Sequence, residues 1–293
     1  MKKILFLSVI LGVALNGYTQ DYMFRVMLNK GTNTYGVGNN QSRLVTGTKL
    51  LQEHSIVAGE GSYIALLHAS GITMELKKPG TYKVSDLEKE VASSQSTLMQ
   101  KYTQYVMNNI ADENQSRLSA TGAVTRGFND IKVYMLQSCK YFDKKQIFDW
   151  EDVPDAKGYV VIISDKFGDE LFKKEVTESQ IMFDFSDPKL KNEELVIVNF
   201  SVKGEDVVDH LGYGLQPLKD DELVRVKAEV ESLKSGFNEE TPLKHLVLAS
   251  YFEENGLYSD ATTYYKKAAQ LSSEVEKIYS DFLIRAGLKD KNK

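Results

Sequence analysis

The chain is poor in the side chains from which most metal sites and nucleophilic centres are built. Its 293 residues hold one cysteine, Cys139, and four histidines, at 54, 68, 210 and 245. A lone cysteine closes no internal disulfide, so a folded chain must rest on its core, and this length is enough for one. No histidine lies three to five residues from another histidine or from Cys139, so zinc-ligand spacing is absent. Cys139 has no base next to it in sequence and reads as a small, partly buried residue near a strand end. The segment "GVGNN" at 36–40 lacks the third glycine of a dinucleotide loop, and no nucleophile elbow, Walker lysine motif or Ca²⁺ loop occurs. No cofactor and no metal are expected. Beyond the first residues no apolar run approaches 18, which excludes a sequence-evident membrane helix. The net charge is −5, with basic residues interspersed among acids, which argues against nucleic acid as a partner.

What is present begins at the N-terminus. Met1-Lys2-Lys3 precedes "ILFLSVILGVAL", twelve mostly apolar residues at 4–15. A basic start, a short apolar run and a polar exit describe a secretory signal peptide over 1–20. The expected cleavage after Gln20 takes the charge to −7, and no cysteine there offers a lipid anchor. Export is therefore expected, to the periplasm first, with the cell surface or exterior as alternatives.

Residues 21–84 alternate and turn often. "YMFRVML" at 22–28 and "SYIALLHA" at 62–69 read as strands, and "ITMELKKPGTYKV" at 72–84 as strand, Pro79-Gly80 turn and strand. Gly47, Leu50, Ile56, Gly59, Ser62, Ala65, Leu67, Gly71 and Leu76 fall in an order that resembles the FecR-type β domain of bacterial envelope sensors. The resemblance implies a small all-β envelope module and covers about a fifth of the chain. From Ser85 the pattern changes. Ser85-x-x-Glu88 has the form of a capping box, and Leu87, Val91, Leu98, Tyr102, Tyr105 and Ile110 follow at helical spacing. A connecting helix is expected over 86–112, within a linker of 85–115, and a small-residue loop at 116–130.

Strands return from Ile131, within a module expected over 116–218. Trp150, Pro154, Ala156, Gly158, Tyr159, Val161 and Ile163 stand in an order that resembles a fibronectin type III or immunoglobulin-like sandwich. Trp150 is expected to fill the space between two sheets, with Tyr159, Val161 and Ile163 sharing one strand face.

Residues 219–293 read as helical. Leu223, Val226, Val230 and Leu233 mark a first helix, Thr241-Pro242 starts a second, and Ser273-x-x-Glu276 is expected to cap the last. Over 242–275 small and aromatic residues alternate: Gly256, Ala261 and Ala268 among Tyr258, Tyr264 and Tyr265. Together with Leu248, Ala249, Phe252 and Leu271 this resembles one tetratricopeptide unit, with His245 where Trp is common. The small residues would let two helices approach, and the aromatics would fill the space beside them.

The expected architecture is multidomain α+β: two all-β modules joined by a long helix, then a helical hairpin bundle. The expected role is a non-enzymatic envelope scaffold that docks another envelope protein. Tyr251, Tyr258, Tyr264 and Lys267 are the candidate contacts, since aromatics beside basic residues make good anchors. A peptidoglycan- or glycan-binding module is the alternative, and a hydrolase with scattered carboxylates ranks last.

Overall fold

The structure is a computed structural model that describes residues 22–91, 95–111, 131–190, 192–205 and 212–290. The expected signal peptide and the expected loop at 116–130 lie outside the described residues. Within them the chain is mixed α+β, with four sheets and six α-helices.

The first eight strands are β1 (Phe24–Lys30), β2 (Thr34–Val37), β3 (Asn40–Arg43), β4 (Lys49–Leu50), β5 (Ser55–Ala58), β6 (Tyr63–His68), β7 (Thr73–Leu76) and β8 (Gly80–Lys83). They form two four-stranded antiparallel sheets, ordered β4-β1-β6-β7 and β3-β2-β5-β8. The Pro79-Gly80 turn carries the chain from one sheet to the other rather than closing a hairpin. Phe24, Val26, Ile64 and Leu66 of the first sheet meet Ile56 and Ala58 of the second in one core. The first sheet is buried on its other face too, where Met27, Leu28, Tyr63, Ala65 and Leu67 join the helical core. That double cover explains why Tyr63 to Leu67 are all buried and read as an apolar run rather than an alternation. The register of β1 against β6 shifts between Val26 and Leu28, a bulge that turns two successive residues, Met27 and Leu28, toward the helices.

The single helix expected over 86–112 is two helices, α1 (Val84–Glu90) and α2 (Thr97–Ala111). Val91 is extended and closes α1. Ser85 lies inside α1 rather than before it, so the expected capping box does not form, and Lys83 precedes the helix without a side-chain cap. Ser96 then opens α2, its Oγ accepting from Met99 N at 3.2 Å. Nor is α2 a polar connector: Met99, Tyr102, Val106 and Met107 are buried among the C-terminal helices.

The next strands are β9 (Ser138–Tyr141), β10 (Lys145–Asp149), β11 (Tyr159–Asp165), β12 (Glu170–Val176), β13 (Gln180–Asp184), β14 (Val196–Val202) and β15 (Tyr213–Pro217). They make a β10-β13 pair and a five-stranded sheet ordered β12-β11-β14-β15-β9, in which only β15-β9 is parallel. Both sheets feed one core around Trp150, which meets Tyr159 edge-to-face at 5.3 Å and Phe200 at 5.2 Å. Tyr159, Val161 and Ile163 all point into it, as their spacing predicts. Gly158 leads into β11 with φ +140°, and a Cβ there would stand 2.8 Å from the Val176 carbonyl oxygen. Gly158→Ala should cost about 1–3 kcal/mol, read as a lowered denaturation midpoint, since both the backbone and the neighbouring strand resist it.

The last helices are α3 (Asp220–Lys234), α4 (Pro242–Glu254), α5 (Tyr258–Leu271) and α6 (Val275–Arg285). Thr241 caps α4, its side chain accepting from Lys244 N, with Pro242 in the first turn. Thr241→Ala should lower stability by about 1 kcal/mol in a thermal or urea melt. Ser273 is not the cap of α6, which begins after Glu274 without a side-chain cap bond. α4 is buried on almost every side, from Leu243 to Glu253. A helix enclosed all round belongs to the centre of a domain. Gly256, at φ +72°, makes the tight turn into α5, and Ala261 and Ala268 are fully buried between the helices. The α4–α5 hairpin is thus the hub: α2 and β1 pack on one side of the helical core, and β9 and β10 pack against α5.

Candidate functional site

The seat of α5 on β9 and β10 fixes where its outward residues stand. Asp260 is fully buried and accepts from Phe142 N and Asp143 N at 2.8 Å and from Gln146 Nε2 at 2.9 Å. Thr263 Oγ accepts from Ile147 N at 2.8 Å, and Ser259 Oγ donates to Gln146 Oε1 at 2.7 Å. Side chains of α5 thereby satisfy strand-edge N–H groups that a further strand would otherwise take. Burial pushes the Asp260 carboxyl up to about 7, against the pull of its three N–H donors. Further along, Tyr279 Oη donates to Asp149 at 2.7 Å and Lys266 stands 3.4 Å from the same carboxylate, whose pKa burial raises.

One helical turn past Asp260 the junction opens into a cleft of about 360 Å³. It is lined by Lys234 at the end of α3, by Glu240, Lys244, His245 and Leu248 at the start of α4, and by Tyr264 and Lys267 of α5. Tyr264 is buried, its hydroxyl donating to Asp143 at 2.8 Å. Lys267 Nζ sits 4.4 Å over the Tyr264 ring and 3.7 Å from Asp143 Oδ2. Lys244 Nζ donates to Glu240, whose other oxygen lies 3.2 Å from His245 Nε2. The hydrogen bond from Lys244 holds the Glu240 carboxyl below its usual range. Burial pushes His245 down to about 4, so near pH 7 it is neutral, and its contact with Glu240 puts the proton on Nε2.

Of the four expected contact residues, the structure brings two together, Tyr264 and Lys267. Tyr251 is fully enclosed by the chain itself: its ring meets Tyr102 at 5.3 Å and its hydroxyl donates to Glu229 at 2.6 Å, so it presents no surface to a partner. Tyr258 lies half-buried against α6, stacked on Phe282. Aromatics spaced for a docking face are instead largely consumed by packing within the chain. Sequence reasoning missed Lys234, Glu240, Lys244 and the role of Asp260. The i, i+4 pair Glu240–Lys244 was visible in principle. The largely polar run "SDATT" at 259–263, set between Tyr258 and Tyr264, was a sign that one face meets polar groups.

Cys139 is buried on β9, and burial pushes its thiol up to about 12, which leaves it protonated and unreactive near neutral pH. Among the described residues no group of three or more His, Cys, Asp or Glu is placed to hold a metal ion. His54 and His68 each meet a ring edge-to-face, Tyr35 at 5.3 Å and Phe24 at 5.0 Å respectively. No helix among the described residues is long and apolar enough to cross a membrane. No protein-family model matches the chain, and no curated protein matches it.

Proposed function

We propose that the chain is an exported envelope scaffold without catalysis of its own, and that it docks a second protein at the cleft between α3, α4 and α5. The observation that carries this reading is the convergence of Lys234, Lys244 and Lys267, from three helices, on an open cleft beside Tyr264. A rigid wall of packed helices with cationic groups at its rim suits recognition of another chain more than it suits turnover. The N-terminal signal-like run supports export, and the resemblances to FecR-type, fibronectin-type and tetratricopeptide modules support an envelope role in assembly rather than chemistry.

The test uses surface substitutions in the full chain. Residues 219–293 supply most of the largest core, so deleting them would unfold the partner-binding surface along with everything else. Cross-linking in envelope fractions with the native chain should recover a discrete partner that is lost with Lys244→Met plus Lys267→Met. The same recovered set from both proteins would move docking away from this cleft. A glycan-binding role draws on one specific feature, Phe167, which is 81% exposed at the β11–β12 turn with Lys166 Nζ over its ring. Retention of the native chain on purified peptidoglycan, lost in Phe167→Ala, would favour that second reading.

A further inference from the structure

We infer that the cleft recognises carboxylates, and that Glu240 is its tethered occupant, displaced when an acidic segment of a protein partner binds. This deepens the docking reading above and rests on it.

Glu240 precedes the N-cap of α4, and its side chain is 65% exposed. It is nevertheless turned to accept from Lys244 and to meet His245 Nε2 at 3.2 Å. The groups it meets are the buried ones: the Lys244 side chain is 12% exposed and that of His245 10%. An ammonium withdrawn that far from water needs an anion beside it. The anion supplied is held on an exposed side chain outside the helix, so releasing it breaks no helical turn. The remaining cations are loosely engaged. Lys267 is 3.7 Å from Asp143 and Lys234 is 3.6 Å from Glu231, both longer than a close ion pair. A glutamate side chain of a partner can therefore replace the Glu240 carboxylate on Lys244 and His245, and a second acidic residue can reach Lys267 or Lys234. The cations are lysines, with no arginine fork among the lining residues, so the arrangement suits single carboxylates along a peptide.

The intramolecular occupant gives the proposal opposite signs for two neighbouring substitutions. The probe is a fluorescein-labelled peptide of six glutamates, with six glutamines as control, followed by fluorescence polarisation at low salt. Glu240→Gln should tighten hexaglutamate binding about threefold, the scale of one exposed ion pair removed as competitor. Lys244→Met and Lys267→Met should each weaken it by about fivefold or more, the methionines keeping the apolar stems packed. Unchanged or weaker binding by Glu240→Gln overturns the proposal, as does equal binding of the glutamine control. The Glu240 position is exposed, so its variant reports even where a lysine variant folds poorly. The two readings fail separately. A cross-linked partner lost with the lysine variants, with no effect of Glu240→Gln on hexaglutamate, leaves docking standing and removes the carboxylate exchange. The predicted hexaglutamate pattern, with partner capture indifferent to the same variants, leaves the carboxylate site and removes docking at this cleft.

Discussion

Asp260→Ala should destabilise the chain by about 3–5 kcal/mol, the range for removing one partner from a buried charged network. Three donors converge on this carboxylate, two of them backbone N–H groups of Phe142 and Asp143 and the third Gln146 Nε2. Alanine leaves the two backbone N–H groups without an acceptor, at about 1–3 kcal/mol each, while Gln146 Nε2 keeps the Asp143 carbonyl at 2.7 Å. Asparagine does not rescue the site, because its NH₂ turns a donor toward a donor. The measurement is a urea unfolding curve for native chain, Asp260→Ala and Asp260→Asn. A loss below about 1 kcal/mol for alanine would mean that water enters and takes over the two backbone N–H groups. A pH series adds a second reading. The folded carboxyl is raised to about 7, while an unfolded aspartate titrates near about 4. Between those values the folded state holds more protons, so stability falls as pH rises through the window. Asp149, also raised by burial, contributes in the same direction. Asp260→Ala should flatten that slope.

Arg285→Met should cost a similar amount, about 3–5 kcal/mol, by leaving a buried carboxylate uncompensated. Arg285 reaches back from the end of α6 to Glu253 at the end of α4, with Nε and Nη2 each at 3.0 Å from the carboxylate. Tyr265 Oη donates to the same carboxylate at 2.6 Å from α5. Three helices thus share one ionic node, and the Glu253 side chain is 8% exposed. Adding Glu253→Met to Arg285→Met should recover much of the loss, because the pair then becomes apolar and no buried charge is left uncompensated. Thermal melts of both single variants and the double variant read this directly. A double variant as unstable as Arg285→Met would show that the loss came from packing of the arginine stem.

Local chemistry was the legible part of this fold. Thr241-Pro242, the Trp150–Ile163 stretch and the Gly256 turn each declare themselves because a cap, a large core ring or a positive φ admits few residue types. Tertiary placement was not legible. Ser85 and Glu88 satisfy the capping pattern, yet α1 starts at Val84, two residues too early for them to use it. Met27 and Leu28 face the helices through a bulge that alternation does not foretell. Tyr251 and Tyr264 have the composition of contact residues, but the same aromatic that anchors a partner serves equally well in a domain interface. The site was half visible: Tyr264 and Lys267 lie on one helix, whereas Lys234 and Lys244 reach it from helices whose packing no spacing encodes.

The doubly covered sheet has a consequence for the order in which the chain can fold. Met27, Leu28, Ala65 and Leu67 share one core with Met99 and Tyr102 of α2, and that core is completed by residues such as Leu218, Leu246 and Phe252. Lys30 closes the same gap at 2.9 Å from the carbonyl of Leu271, 241 residues away. The early strands therefore keep part of an apolar face open until the later helices are made. Contacts so distant in sequence form slowly, and a waiting apolar face invites aggregation. A product cut short before α4 would keep that face exposed and stay recognisable to chaperones and proteases. Closure of the sheet by α3 to α6 thus doubles as a test that those helices have been made.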